Sequence, residues 1–150
     1  MHAPRTEVYR ALIDPQAIEQ WRVPNGMTSH ILEFTAREGG SFRISLTYDR
    51  PTGTGKTTDQ TDTYHGHFVK LVPNEQVIEV LEFETDDPAL QGEMTITFTL
   101  TNAEGGADVL GVHENLPPGV SPADNETGWR MALDKLAAVV ETGEVTKGKP

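Results

Sequence analysis

Apolar residues recur along this chain with two different periods. From residue 121 to 143, Trp129, Leu133, Leu136 and Val140 return every three or four positions, with Ala132 and Ala137 beside them. That is the spacing of one helical face. Ser121 can accept a hydrogen bond from a free N–H of the first turn, and Asp124 follows three residues on as a loose capping box. Pro122 takes the first helical position, where its missing N–H costs nothing, and Gly143 supplies a left-handed stop. Such a helix is about 30 Å long at ~1.5 Å per residue. Two shorter helices are predicted near the start. Pro4 opens the first, with Val8, Ala11 and Leu12 along one side. Asp14-Pro15 caps and opens the second, Ile18 and Trp21 mark its inner face, and Pro24 and Gly26 end it.

Between these helices the period falls to two, the signature of half-buried strands. Residues 29–36 carry Leu32 and Phe34 alternating with Glu33 and Thr35, and Gly39-Gly40 turns the chain. Residues 41–49 place Phe42, Ile44, Leu46 and Tyr48 on one face and Ser41, Arg43, Ser45 and Thr47 on the other. Residues 62–72 form the next strand, and Pro73-Asn74-Glu75 turns it. The strand over 76–84 has apolar residues on both faces, so its phase stays open. Residues 93–101 alternate strictly, with Met94, Ile96, Phe98 and Leu100 inward and Thr95, Thr97 and Thr99 outward. A last strand spans 107–115. The stretch 50–61 has no large apolar residue and is expected to be a mobile hairpin loop. Its GTGKT, residues 53–57, resembles the end of a phosphate-binding loop. The full pattern needs a glycine where Arg50 stands and a helix afterwards, so a solvated loop is the better reading.

The order is therefore two short helices, about six antiparallel strands and one long helix, an α+β arrangement. A curved sheet cannot leave its apolar face in water, and only the long helix matches it in length. The space between them is the natural pocket, expected to be mostly apolar and a few hundred Å³ in volume.

Composition narrows the function. Twelve basic and 23 acidic side chains leave a net charge of -11, which repels phosphate backbones and makes nucleic acid an unsuitable partner. No apolar run approaches the ~20 residues of a membrane span, and the first residues, MHAPRTEVYRAL, lack an apolar signal core. A cytoplasmic protein without a membrane partner is expected. With 150 residues and no linker or repeat, residues 1–143 read as one domain and 144–150 as a disordered tail. Cysteine is absent, which removes disulfides, thiolate metal sites and a Cys nucleophile.

Candidate chemistry centres on His113. If Val109 faces the cavity, so do Gly111 and His113, because strand side chains alternate. There His113 is a candidate acid, base or orienting donor, or else a hydrogen-bond partner of the loop before the long helix. Glu114 points the other way, so the two are not a dyad. His65 and His67 share a strand face but supply only two ligands where zinc needs more, so no metal or cofactor is expected. Trp21 and Trp129 are candidates to stack on a ligand or to anchor the core.

Two stretches resemble a known family. APRTEVYRALIDPQAIEQW looks like the opening of the START-like (SRPBCC) superfamily, with its Ala-Pro, Val-aromatic pair, Asp-Pro and Trp. HENLPPGVSPADNETGWRMALDKLAAVVE resembles the end of the activator of heat-shock-protein-90 ATPase homologue 1-like branch, the Gly128-Trp129 and Leu133-x-x-Leu136 pattern being the most specific part. The resemblance covers nearly the whole chain. It implies a helix-grip fold, a sheet wrapped around a C-terminal helix over a hydrophobic cavity. It implies no single activity, since relatives include lipid carriers, polyketide cyclases and aromatases, self-sacrificing resistance proteins and a co-chaperone domain. One departure stands out: family members normally begin with a strand before the Ala-Pro, whereas here only Met1 and His2 precede it. Either the start lies too far downstream or the strand is lacking. An uncovered 107–115 edge would template pairing with another chain, so a homodimer through that edge is expected.

Three functions remain open on the sequence. The leading one is binding of a hydrophobic or aromatic small molecule, contacted by Trp21, Phe42, Ile44, Leu46, Tyr48, Met94, Phe98, His113, Trp129 and Leu133. The second is a cyclase-, aromatase- or hydrolase-like enzyme using His113. The third is a co-chaperone-like interaction domain.

Overall fold

The computed structural model describes residues 1–49 and 61–142. The GTGKT stretch, the expected loop except Thr61, the Gly143 stop and the 144–150 tail lie outside the described residues. Two helices come first, α1 (Arg5–Ile13) and α2 (Pro15–Trp21). Asp14 joins them by accepting a hydrogen bond from the Gln16 amide at 2.9 Å. Six strands follow: β1 (Met27–Phe34), β2 (Ser41–Tyr48), β3 (Thr61–Val72), β4 (Gln76–Phe83), β5 (Met94–Ala103) and β6 (Gly106–Glu114). They pair strictly in sequence order, all antiparallel, in one curled sheet. The long helix α3 (Pro122–Thr142) closes the chain, and the Ser121 hydroxyl accepts from the Asp124 amide at 3.2 Å. This is the helix-grip arrangement.

The core lies between the concave sheet face and the helices. Phe42, Ile44, Phe68, Val77, Met94, Ile96, Phe98 and Leu100 point into it from the sheet, and Val8, Leu12, Ile18 and Trp21 from the short helices. From α3 come Ala132, Leu136 and Val140, each spaced four residues from the next. Trp21 is sealed inside, its indole N–H donating to the Ala11 carbonyl at 2.8 Å and its ring meeting Phe98 edge-on.

Two bulges alter the expected phase. The register of β1 against β2 shifts between Ile31 and Glu33, and that of β3 against β4 between Phe68 and Lys70. The extra residue in each leaves the ladder and turns outward. Leu32, expected to share a face with Phe34, is accordingly 53% exposed, and Val69 is 47% exposed. The open phase of β4 resolves with Val77, Glu79 and Leu81 inward. Gly66 allows a close strand approach, since a Cβ there would collide with the Val80 carbonyl and Leu81.

Among the described residues, the edge of β6 is covered only at its start. Met1 and Ala107 exchange both backbone hydrogen bonds, at 2.7 and 2.9 Å. Beyond that pair, Leu110 is 63% and Val112 40% exposed.

Candidate ligand-binding site

The helices do not fill the sheet's concave face evenly. Helix α1 packs against β5 and β6 and α2 against β1 and α3, and Trp21, Phe42 and Ile44 are fully buried in the core there. Between the sheet and α3 a cleft of about 690 Å³ opens. Leu46, Tyr48, Tyr64, Leu81, Met94 and Ile96 line it from the strands, and Trp129, Met131 and Ala132 from α3. A second hollow, of about 490 Å³, lies between β6 and α3 against Phe98, Val109, Leu116 and Leu133. Ile96, His113, Asn125 and Trp129 border both. Of the ten candidate ligand contacts, the structure therefore brings Leu46, Tyr48, Met94, His113 and Trp129 to the cleft. Phe98 and Leu133 face the second hollow, and Trp21, Phe42 and Ile44 are packed in solid core.

His113 does reach the inner face, opposite Ile96. Its partners fix its protonation. The Trp129 indole N–H can only donate, and it points at Nδ1 from 3.2 Å. The Asn125 amide nitrogen lies 3.1 Å from the same atom. Nδ1 is thus an acceptor, and the ring's proton sits on Nε2, 3.3 Å from the Met94 sulfur. Burial, aided by the nearby Arg22 charge, lowers the pKa to about 4. Near neutral pH His113 is an uncharged ring whose basic nitrogen is engaged by two donors. It is suited to hold Trp129 and offer one N–H, and poorly suited to take a proton.

Arg22 at the cleft wall belongs to a buried charged pair that sequence reasoning missed. Arg22 caps α2 and turns its side chain under α3, where it is 6% exposed. Its Nη1 donates to Glu79 on β4 at 2.9 Å, and that carboxylate is 1% exposed. Three rings surround the guanidinium carbon, with Tyr64 and Trp129 centred 5.4 Å away and Phe42 5.8 Å. Burial alone would favour an uncharged guanidine, but Glu79 and then Tyr64 outweigh it and hold Arg22 cationic. Burial likewise raises the Glu79 carboxyl and the Tyr64 phenol, with Arg22 opposing both. The Tyr64 hydroxyl sits close enough to feel the charge, yet Nη2 has no aligned hydrogen-bond partner. The one available signal for this pair was Glu79 itself, an acid at period two between Val77 and Leu81.

The other histidine pair is elsewhere. His65 and His67 stand exposed on the outer face, opposite Arg43 and Ser41. His65 lies 2.9 Å from Glu84 and 3.2 Å from Glu82, and among the described residues no group of three or more metal-ligating side chains converges.

A curled sheet gripping one helix over a half-open cleft defines a helix-grip protein with room for a guest. Residues 2–141 match the model of the activator of Hsp90 ATPase homolog 1-like protein family, and the chain belongs to that family. A solved protein from Chromobacterium violaceum is 34% identical, with 94% of this chain and 92% of that one covered and a TM-score of 0.84. Another, from Rhodobacter sphaeroides, is 19% identical over 95% of this chain and 88% of that one, with a TM-score of 0.77, a likeness of fold alone. DynU16, a protein in the dynemicin biosynthetic locus, is 25% identical over 97% of this chain but 46% of its own length, with a TM-score of 0.64. No curated protein matches the chain. Among the described residues no helix is long and apolar enough to cross a membrane.

Proposed function

We propose that this protein binds an apolar or aromatic small molecule in the cleft beneath α3. The observation that carries the reading is the cleft itself: about 690 Å³, with Leu46, Leu81, Met94, Ile96 and Trp129 in its walls and polar groups from Arg22 and from the first turns of α3 along them. Pockets of that size and lining suit small-molecule ligands. Native mass spectrometry of protein purified without denaturation tests it, together with titration of an apolar fluorescent dye. Saturable uptake is expected, and Leu46→Arg, which places a charge in the lining, should weaken it at least tenfold. A protein that carries no guest and takes up no dye would refute the reading.

A reaction of cyclase, aromatase or hydrolase type is the second reading, favoured by the place of DynU16 in a biosynthetic locus. In such a reaction His113 serves as hydrogen-bond donor through Nε2 and not as the base, given the two donors on Nδ1 and the lowered pKa. A rate that rises with a pKa near 6.5 and is abolished in His113→Gln would overturn that assignment.

A further inference from the structure

We infer that the ligand carries an uncharged oxygen acceptor, a ketone or similar group, which docks on Arg22 at the wall of the cleft. This rests on the small-molecule reading above and names the ligand's polar end. Arg22 is buried, yet Nη2 has no hydrogen-bond partner. A guanidinium offers five N–H donors, and leaving buried ones unmet is costly. Glu79 occupies Nη1, Phe42 and Trp129 supply ring faces, and the Tyr64 hydroxyl acts on the guanidinium charge without making an aligned bond to Nη2. A guest in the cleft lined by Arg22 can bring the missing acceptor. Nη2 is itself shut off from solvent, and of the three rings Trp129 alone is only half buried, so the guest reaches Nη2 by displacing the Trp129 edge. A second donor waits nearby. The His113 Nε2–H faces only the Met94 thioether, a weak acceptor.

Charge decides between a neutral oxygen and a carboxylate. Glu79 already balances Arg22, so a bound anion would leave two negative groups around one cation in a dry site. A neutral carbonyl takes the free N–H without disturbing the balance. The flanking rings and apolar walls fit an aromatic or alicyclic frame around it.

The test uses three probes of one shape: 2-acetonaphthone, 2-isopropylnaphthalene and 2-naphthoate, in equilibrium dialysis at pH 7. Affinities of the two neutral probes are referred to their own water–octanol partition. The ketone should bind roughly tenfold or more tighter than the hydrocarbon, as one hydrogen bond to a charged donor makes, and the carboxylate more weakly than the ketone. In the charge-free Arg22→Met/Glu79→Leu protein, its fold checked by circular dichroism, ketone and hydrocarbon should converge. Equal binding of these two by the wild type, or a preference that survives in the double variant, overturns the Arg22 subsite while the cleft reading stands. A carboxylate that outbinds the ketone overturns the neutral class. Failure of all three probes to bind removes both readings together.

Discussion

The Arg22–Glu79 pair offers the sharpest test of how the interior is organised. Both side chains are almost fully removed from water, at 6% and 1% exposure, and 2.9 Å apart. Removing one partner leaves the other as an uncompensated buried charge, which costs about 3–5 kcal/mol. Arg22→Met and Glu79→Leu should each lose that much. Exchanging both for apolar groups of similar volume removes the desolvation penalty along with the attraction, so the double variant should lie within about 2 kcal/mol of wild type. The coupling in the cycle is then several kcal/mol, far above the ~0.5 kcal/mol scatter of independent sites. Urea titrations of the four proteins measure it, provided their m-values agree. In thermal scans each single variant should fall by roughly 6–20 °C, at about 2–4 °C per kcal/mol for a chain of this size. Additive losses, or single losses below about 1 kcal/mol, would show that water reaches the pair and that this wall of the cleft is not dry.

Three further outcomes are expected. The folded protein holds His113 near 4 while the unfolded chain protonates it near 6.5, so the unfolded chain takes the proton first as pH falls. Stability should therefore decline between about pH 6.5 and pH 4 and His113→Gln should flatten the decline, by up to about 2 kcal/mol once partial solvent screening is allowed for; parallel pH profiles refute this. Leu136, fully buried in the α3 stripe, should cost ~2–5 kcal/mol when changed to Ala, and a denaturation midpoint that does not move would place the stripe in solvent. The bare stretch of β6 beyond Ala107, with Leu110 and Val112 exposed, should pair two copies across a two-fold axis. Sedimentation should then find a dimer that Leu110→Lys disperses, and a monomer at micromolar concentration would end that proposal.

The fold was legible because each element announces its own period. The 3.6-residue stripe of α3 and the strict alternation of β5 needed no tertiary information. What failed locally failed for local reasons. A bulge inserts one residue without any mark in the pattern, so Leu32 read as inward when it is out. The phase of β4 stayed open because Ile78 and Val80 are as apolar as Val77 and Leu81. The site was less legible, since its parts come from the end of α2, from α3 and from all six strands, far apart in sequence. Nothing near Arg22 announces Glu79, 57 residues on. His113 stood out as a titratable residue on an inward phase, but its role depends on Asn125 and Trp129, one and two turns into a helix whose facing only the packed structure supplies. The expected pocket was placed over the whole concave face because the sequence does not say where α1 and α2 pack.

The strictly sequential pairing of the sheet bears on how the chain is made. Each strand meets its partner as soon as the next hairpin leaves the ribosome, so β1 to β6 can zip in order with little loop closure at any step. The lid does not follow that schedule. Until α3 emerges, the concave face with Phe42, Ile44, Met94, Ile96 and Phe98 has only the short helices to cover it. The nascent chain thus holds a nearly complete sheet with part of its greasy side open for the time needed to synthesise residues 115–142, about 1–6 s at ~5–20 residues per second. During that interval it is a natural client for a holding chaperone, and released chains truncated before Pro122 should bind one far more strongly than chains that run past Thr142.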